Sequence, residues 1–216
     1  MPWNPNPSSD EHWMNRHIAL KEEIAHAKPN VLFVGDSITA RWTNAGKRFW
    51  DSTFAPLNAF NAGIEGDTTQ GVLWRLNQAE FSGASPSTVV IMIGTNNINS
   101  SGGQSVARGV KAVADAFKHE FSSARIIVLS ILPRDNANSV HRKRLVQANE
   151  VLKRGASSSR YYFCDVGQFL IEENGDLFSA AFLDKAHLRE DGYGRIAAEI
   201  ARAISGTSRT CSPPFP

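Results

Sequence analysis

Apolar residues along the chain fall into two alternating textures, short continuous runs and longer stripes of helical spacing. The runs are Val31 to Val34, Leu57 to Phe60, Val89 to Ile93, Ile126 to Leu132 and Tyr161 to Val166. Without polar alternation, such runs suit strands covered on both faces, as in parallel sheets. The stripes are Trp13, His17, Leu20 and Ile24; then Val106, Val110, Val113, Phe117 and Phe121; then Leu145, Ala148 and Leu152; and finally Tyr193, Ile196, Ala197, Ile200 and Ile204. Residues three and four apart share one helix face. Ser8-Ser9-Asp10-Glu11 has capping-box spacing before the first stripe, and Pro29 ends that helix. Gly155 and Gly206 are expected as the C-terminal caps of the last two helices. The alternation predicts a three-layer α/β/α domain with a parallel sheet of about five strands. One domain is expected over 8–206, with flexible arms at 1–7 and 207–216.

Composition narrows the function classes without naming one. With 42% hydrophobic residues in 216, the chain can bury a core, which excludes a disordered protein. A net charge of +2, from 23 basic and 21 acidic residues, provides no broad field for nucleic acid or an anionic membrane. No apolar run approaches the roughly 18 residues that span a bilayer. The basic cluster His141-Arg142-Lys143-Arg144 reads as a solvated helix start, and Trp42, Trp50 and Trp74 read as packing. Cys164, in a buried run, reads as a small hydrophobe, and Cys211 lies in a Pro-rich tail; a bridge between them is the less favoured reading. Met1 to Pro7 lack the basic and apolar regions of a secretion signal. A cytoplasmic default follows, with secretion open if a leader has been removed.

In sheets of this kind, ligands bind outside the carboxyl ends of the strands. There the chain has Gly35-Asp36-Ser37, Asn61-Ala62-Gly63, Gly94-Thr95-Asn96-Asn97 and, before the last helix, Asp184-Lys185-Ala186-His187. Ser37 alone could be a helix cap, and Asn96 alone a strand-ending turn. His187 follows Asp184 by three residues, so the carboxylate can fold back onto one imidazole nitrogen. The other nitrogen is then free to take a proton from a serine. Asp191 is a competing acid, but its position suits the start of the last helix. The N–H groups of Ser37 and Gly63 and the amide of Asn96 are candidate donors to an oxyanion. None of the six histidines has the H-x-x-x-H spacing with a partner carboxylate that marks a helical zinc pair, so neither a metal nor a cofactor is expected.

Taken together, Ser37, Gly63, Asn96 and His187 resemble the four blocks of the SGNH (or GDSL) hydrolase superfamily. Val31 to Ser37, Gly66-Asp67-Thr68-Thr69, Val72-Leu73-Trp74-Arg75-Leu76, Gly94 to Asn97 and Leu132-Pro133-Arg134 resemble one branch, the catalytic subunits of intracellular platelet-activating factor acetylhydrolase. The resemblance runs from about Trp13 to Ile204. It implies a flavodoxin-like fold and metal-free hydrolysis of short acyl esters through an acyl-serine. Ser37 is then the nucleophile, His187 the base and Asp184 its orienting acid, with Ser37, Gly63 and Asn96 forming the oxyanion hole. Ile38, Glu65, Thr95 and Ala186 are the expected pocket lining, and homodimerisation is implied too. The chain departs from the branch at Glu65, where glycine is usual, and at Lys185 and Ala186, where bulky apolar residues are usual. Glu65 is expected to point to solvent, and the acyl pocket to be wider or more polar.

The leading expectation is a serine esterase for small acyl esters, acetyl above all. A carbohydrate O-acetyl esterase, a thioesterase or a lysophospholipase fits the same fold. A nucleotide- or flavin-binding module lacks its motif, since neither Gly-x-Gly-x-x-Gly nor a P-loop follows a strand. A binding subunit with a silent site would have to keep every catalytic position intact.

Overall fold

The computed structural model describes residues 1–156 and 160–213. Its centre is a six-stranded sheet in the order β2-β1-β3-β4-β5-β6, formed by β1 (Val31–Gly35), β2 (Ala59–Asn61), β3 (Thr88–Met92), β4 (Arg125–Leu129), β5 (Tyr162–Cys164) and β6 (Cys211–Ser212). The first five strands pair in parallel, and β6 runs antiparallel to β5. The helices are α1 (Glu11–Ala27), α2 (Ser37–Ala40), α3 (Lys47–Phe49), α4 (Thr69–Asn77), α5 (Gly103–Glu120), α6 (Val140–Ala156) and α7 (Glu190–Ser205).

Because successive side chains of a strand point to opposite faces, each apolar run feeds two cores. Leu32, Val34, Val89, Ile91, Ile126 and Val128 pack under α1, α4, α5 and α6. Val31, Phe33, Val90, Met92, Ile127 and Leu129 pack against α7 and the aromatic group of Trp42, Trp50 and Phe54. This is the expected α/β/α arrangement, and the strand order reverses between β1 and β3.

The helix stripes are buried where expected, and the helix ends differ in detail. Asp10, not Ser8, caps α1, accepting from the N–H of Trp13 at 2.9 Å. Lys28 ends that helix in a left-handed conformation just before Pro29. Gly206 is the left-handed cap of α7, as its freedom from a Cβ allows. Gly155 is not a cap: it lies inside the last turn of α6, and residues 157–159 are outside those described. The second strand begins two residues later than its apolar run, since Leu57 sits exposed in a 3-10 turn. Trp42 and Trp50 are core residues, whereas Trp74 is partly buried against Trp13 and His17.

Three further expectations are corrected. The N-terminal arm is packed down: Thr69 Oγ1 donates to the carbonyl of Pro2 at 2.6 Å, and the Arg108 guanidinium lies 4.0 Å from the Trp3 ring centroid. The C-terminal segment 207–213 returns to the sheet. Thr210 Oγ1 donates to Glu199 of α7 at 2.6 Å, and Cys211 faces Cys164 directly across the β5–β6 pair, joined to it by a disulfide. The basic cluster is only partly solvated. Arg142 is buried and donates to the carbonyls of Arg134, Asp135 and Gly175 at 3.0–3.1 Å. No helix among the described residues is long and apolar enough to cross a membrane.

Candidate active site

Parallel pairing brings the ends of β2, β1 and β3 side by side, and the candidate residues follow those ends. The register Phe33↔Asn61 continues beyond β2: the N–H groups of Ala62 and Ile64 donate to the carbonyls of Phe33 and Gly35 at 2.8 and 3.1 Å. Gly63 is therefore held against the end of α2, at Thr39 and Ala40. A Cβ at 63 would overlap the backbone nitrogen of Ala40, so only glycine fits this approach. Gly35 is equally constrained, by Thr39 Oγ1 and the carbonyl of Met92.

Ser37 is the first residue of α2, and its predecessor Asp36 is the N-cap, accepting from the N–H of Ile38 at 3.0 Å. As the first helical residue, Ser37 has an N–H with no acceptor within the helix. Its side chain is buried, and its Oγ lies 3.0 Å from His187 Nε2. Burial drives the Asp36 carboxyl up to about 7, with Asp67 and Glu65 adding to the rise against the Ile38 N–H.

The candidate acid and base, Asp184 and His187, arrive on a hairpin between β5 and α7. Its stem is the antiparallel bridge Phe182↔Leu188, and the Leu183 N–H donates to the His187 carbonyl at 2.8 Å. At the tip, Asp184 Oδ1 accepts from the N–H groups of Ala186 and His187, and Oδ2 accepts from His187 Nδ1, all at 2.8 Å. Its residual burial works to raise the Asp184 carboxyl. The His187 N–H, the imidazole and the Ala186 N–H outweigh that and hold it down to about 2. With Nδ1–H committed to the carboxylate, the neutral imidazole presents Nε2 as an acceptor to the Ser37 hydroxyl. Asp191 lies in the first turn of α7 and pairs with Arg195.

Asn96 donates one amide hydrogen to the Asp67 carbonyl at 2.8 Å, which leaves the second available. The single N–H of Gly63 donates to Asn61 Oδ1 at 2.9 Å, an engagement not expected from the sequence. Thr95 is buried, and its carbonyl accepts from Arg134 at 3.3 Å. Ile38 is buried, with its carbonyl accepting from the Tyr193 hydroxyl at 2.7 Å. Ala186 is half-buried at the hairpin tip. Glu65 is exposed, as expected, and is held by Arg41 through Nε at 3.0 Å.

Sequence reasoning missed what lies beneath Gly63 and Asn96. Arg75 of α4 is fully buried between Asp67 and Glu80, and Glu80 in turn bonds His17 of α1. Burial disfavours the charged guanidinium, yet the two carboxylates keep it above the ordinary arginine range. Burial pushes Asp67 up in spite of Arg75; at Glu80 burial pushes the same way, but Arg75 and His17 prevail and bring it down. The signal was an arginine inside the apolar stretch Val72 to Leu76, which requires buried partners. A second missed feature is a tether on the hairpin: the Asp135 N–H donates to the Lys185 carbonyl at 3.0 Å.

A buried serine bonded to a histidine, itself bonded to a carboxylate, on the carboxyl edge of a doubly wound sheet is a hydrolase-type constellation. Residues 33–195 match the GDSL-like Lipase/Acylhydrolase family. The chain is 31% identical over 196 residues to platelet-activating factor acetylhydrolase IB subunit alpha2 of Rattus norvegicus, covering 90% of this chain and 84% of the relative. Among solved structures, a GDSL-like lipase from Bacteroides thetaiotaomicron superposes with a TM-score of 0.69 at 22% identity, covering 88% of this chain and 97% of that one. An acetylxylan esterase from Geobacillus stearothermophilus superposes with a TM-score of 0.64 at 19% identity, covering 81% and 93%. The chain belongs to the GDSL-like lipase/acylhydrolase family and is a carboxylic ester hydrolase.

Proposed function

We propose that the protein is a serine esterase that hydrolyses short-chain, acetyl-type esters through an acyl-serine, with Ser37, His187 and Asp184 as its triad. The observation that carries this reading is the continuous chain from Ser37 Oγ to His187 Nε2 at 3.0 Å and from His187 Nδ1 to Asp184 Oδ2 at 2.8 Å. Ser37 Oγ attacks the ester carbonyl carbon while its proton passes to Nε2. Asp184 stabilises the imidazolium that results. Negative charge gathers on the former carbonyl oxygen, where the Ser37 N–H and the second amide hydrogen of Asn96 receive it. The Gly63 N–H joins them by exchanging Asn61 Oδ1 for the oxyanion, a stronger acceptor than a neutral amide. The tetrahedral adduct expels the alcohol, which takes the proton from His187. Water activated by the same imidazole then releases the acid and frees Ser37. No metal or cofactor is needed for any step.

The preference for acetyl is supported by the name of the 31% identical relative. Ile38, Thr95 and Ala186 line the acyl side in this reading, and Glu65, neutralised by Arg41, stays off the oxyanion. A homodimer belongs to the same proposal, supported by the subunit designation of that relative; sedimentation should then report twice 23.7 kDa. The test of function is p-nitrophenyl ester hydrolysis from C2 to C12 by the wild type and Ser37→Ala. Turnover is expected to be greatest at C2 and to disappear in the variant. Wild-type rates in Ser37→Ala would overturn the assignment.

A further inference from the structure

We propose that Arg75, which reaches none of the reacting groups, is the positioning residue of the oxyanion hole, a proposal that rests on the function argued above. Its guanidinium fastens the loop carrying Gly63 at both ends. Nη2 donates to the Ala62 carbonyl at 2.7 Å, one residue before Gly63. Nη1 donates to Asp67 Oδ2 at 2.7 Å, at the far end of the same loop. The main-chain carbonyl of Asp67 is the acceptor that orients the Asn96 amide at 2.8 Å. One side chain thus fixes the segment bearing one hole donor and, through Asp67, the attitude of another.

The third edge of the guanidinium is locked from behind. Nε donates to Glu80 Oε2 at 2.9 Å, and Glu80 is bonded to His17, whose ring packs 6.0 Å from Trp13 and 5.0 Å from Trp74. Arg75 is 0% exposed, so no solvent competes for its five N–H groups. Such buried ion pairs rarely stabilise a fold more than well-packed apolar residues would, so stability alone does not account for the cluster. A planar fork that holds a carbonyl and a carboxylate in fixed relation is a geometric device that lysine cannot reproduce. Oxyanion donors act through preorganisation, and small misplacements carry large rate penalties.

The test compares Arg75→Lys and Glu80→Gln with the wild type on p-nitrophenyl acetate, with rates expressed per serine titrated by an organophosphonate. In Arg75→Lys, kcat is expected to fall about 10- to 100-fold with KM within about twofold. Affinity for an alkyl boronic acid, which mimics the tetrahedral anion, should fall in proportion. The pH profile of kcat/KM should keep its shape, because Arg75 touches neither His187 nor Asp184. Glu80→Gln keeps the bonds to Ala62 and Asp67, so it should lower thermal stability while holding kcat within about threefold. If Arg75→Lys does not fold, Asp67→Asn loosens the same loop with one atom changed and is expected to lose kcat in the same pattern. The proposal is overturned if the folded variant keeps kcat within twofold, or if kcat falls while boronate affinity does not. Should the wild type itself fail to turn over the ester, the functional reading fails instead.

Discussion

On one side of Ser37 lie Gly63, Asp67 and Asn96, fastened from below by Arg75 and Glu80, which see almost no solvent. On the other side lies the hairpin of Asp184 and His187, whose side chains are 53% and 26% exposed. In the proposed mechanism the buried side holds main-chain and amide donors, whose function depends on being in place before charge develops. In the same mechanism the exposed side holds the groups that would move protons and exchange with water between the two half-reactions. The first side is held by a buried ion-pair cluster, and the open side by hydrogen bonds within its own hairpin and the tether from the Asp135 N–H to the Lys185 carbonyl.

The expected consequences differ in size accordingly. Replacing Asp184 with Asn breaks the open side at its tip: the amide can donate to Nδ1, which stabilises the wrong tautomer. A loss of about 10³-fold in kcat is expected, somewhat less than at a fully buried acid, because water can partly take the place of an exposed carboxylate. With its carboxyl held to about 2, Asp184 stays ionised through the neutral range. Its depressed folded value stabilises the fold above the unfolded value near 3.8, and that contribution is lost as pH falls through about 2. A denaturation series between pH 2 and 5 should therefore be flatter in Asp184→Asn.

Asn96→Ala tests the closed side directly. If Asn96 donates to the oxyanion as proposed, its loss should lower kcat about 10²-fold with KM almost unchanged, measured on the same short-chain ester. An equal rise in KM would show instead that Asn96 binds the ground state.

The last effect is on stability rather than rate and sits beside Ser37. The Asp36 carboxyl, raised to about 7 chiefly by burial, binds a proton in the folded state that the unfolded chain has already released above about 3.8. Stability must then fall as pH rises from about 4 to 7, by about 3 kcal/mol between pH 5 and 8. Asp36→Asn keeps an acceptor for the Ile38 N–H and removes this slope. Urea unfolding of both proteins at the two pH values checks it.

The two sides also differed in how far they could be read from the residues alone. Asp184 and His187 lie three apart, so their bond is a local property of one turn, and Ser37 is marked by its place after a buried strand. The clamp under Gly63 joins positions 67, 75 and 80 to His17; the apolar stretch around Arg75 marks that residue as buried, but nothing in local periodicity identifies Asp67, Glu80 and His17 as its partners. Arg142 differs from its expected exposure because its guanidinium donates to three backbone carbonyls, those of Arg134 and Asp135 in the preceding loop and that of Gly175 from farther along the chain. The Cys164–Cys211 bridge depends on a two-residue strand whose neighbours, Ser208 and Thr210, are anchored by Glu199, a long-range contact hidden behind a Pro-rich sequence. The parallel strands were legible from their apolar runs: β1, β3 and β4 are covered on both faces, and even the half-buried edge strand β2 keeps Ala59 and Phe60 packed against the two cores. The sixth, short and at the edge, left no apolar run.

The account's central claim is that Ser37 carries the acyl group, and covalent trapping tests it most directly. The wild-type protein would be treated with an organophosphonate ester, digested, and the modified peptide sequenced by mass spectrometry. A single adduct on Ser37, formed in step with complete loss of ester hydrolysis and absent in His187→Ala over the same time, is the expected result. Full inactivation with the label on another residue, or persistent hydrolysis by protein fully labelled at Ser37, would contradict it.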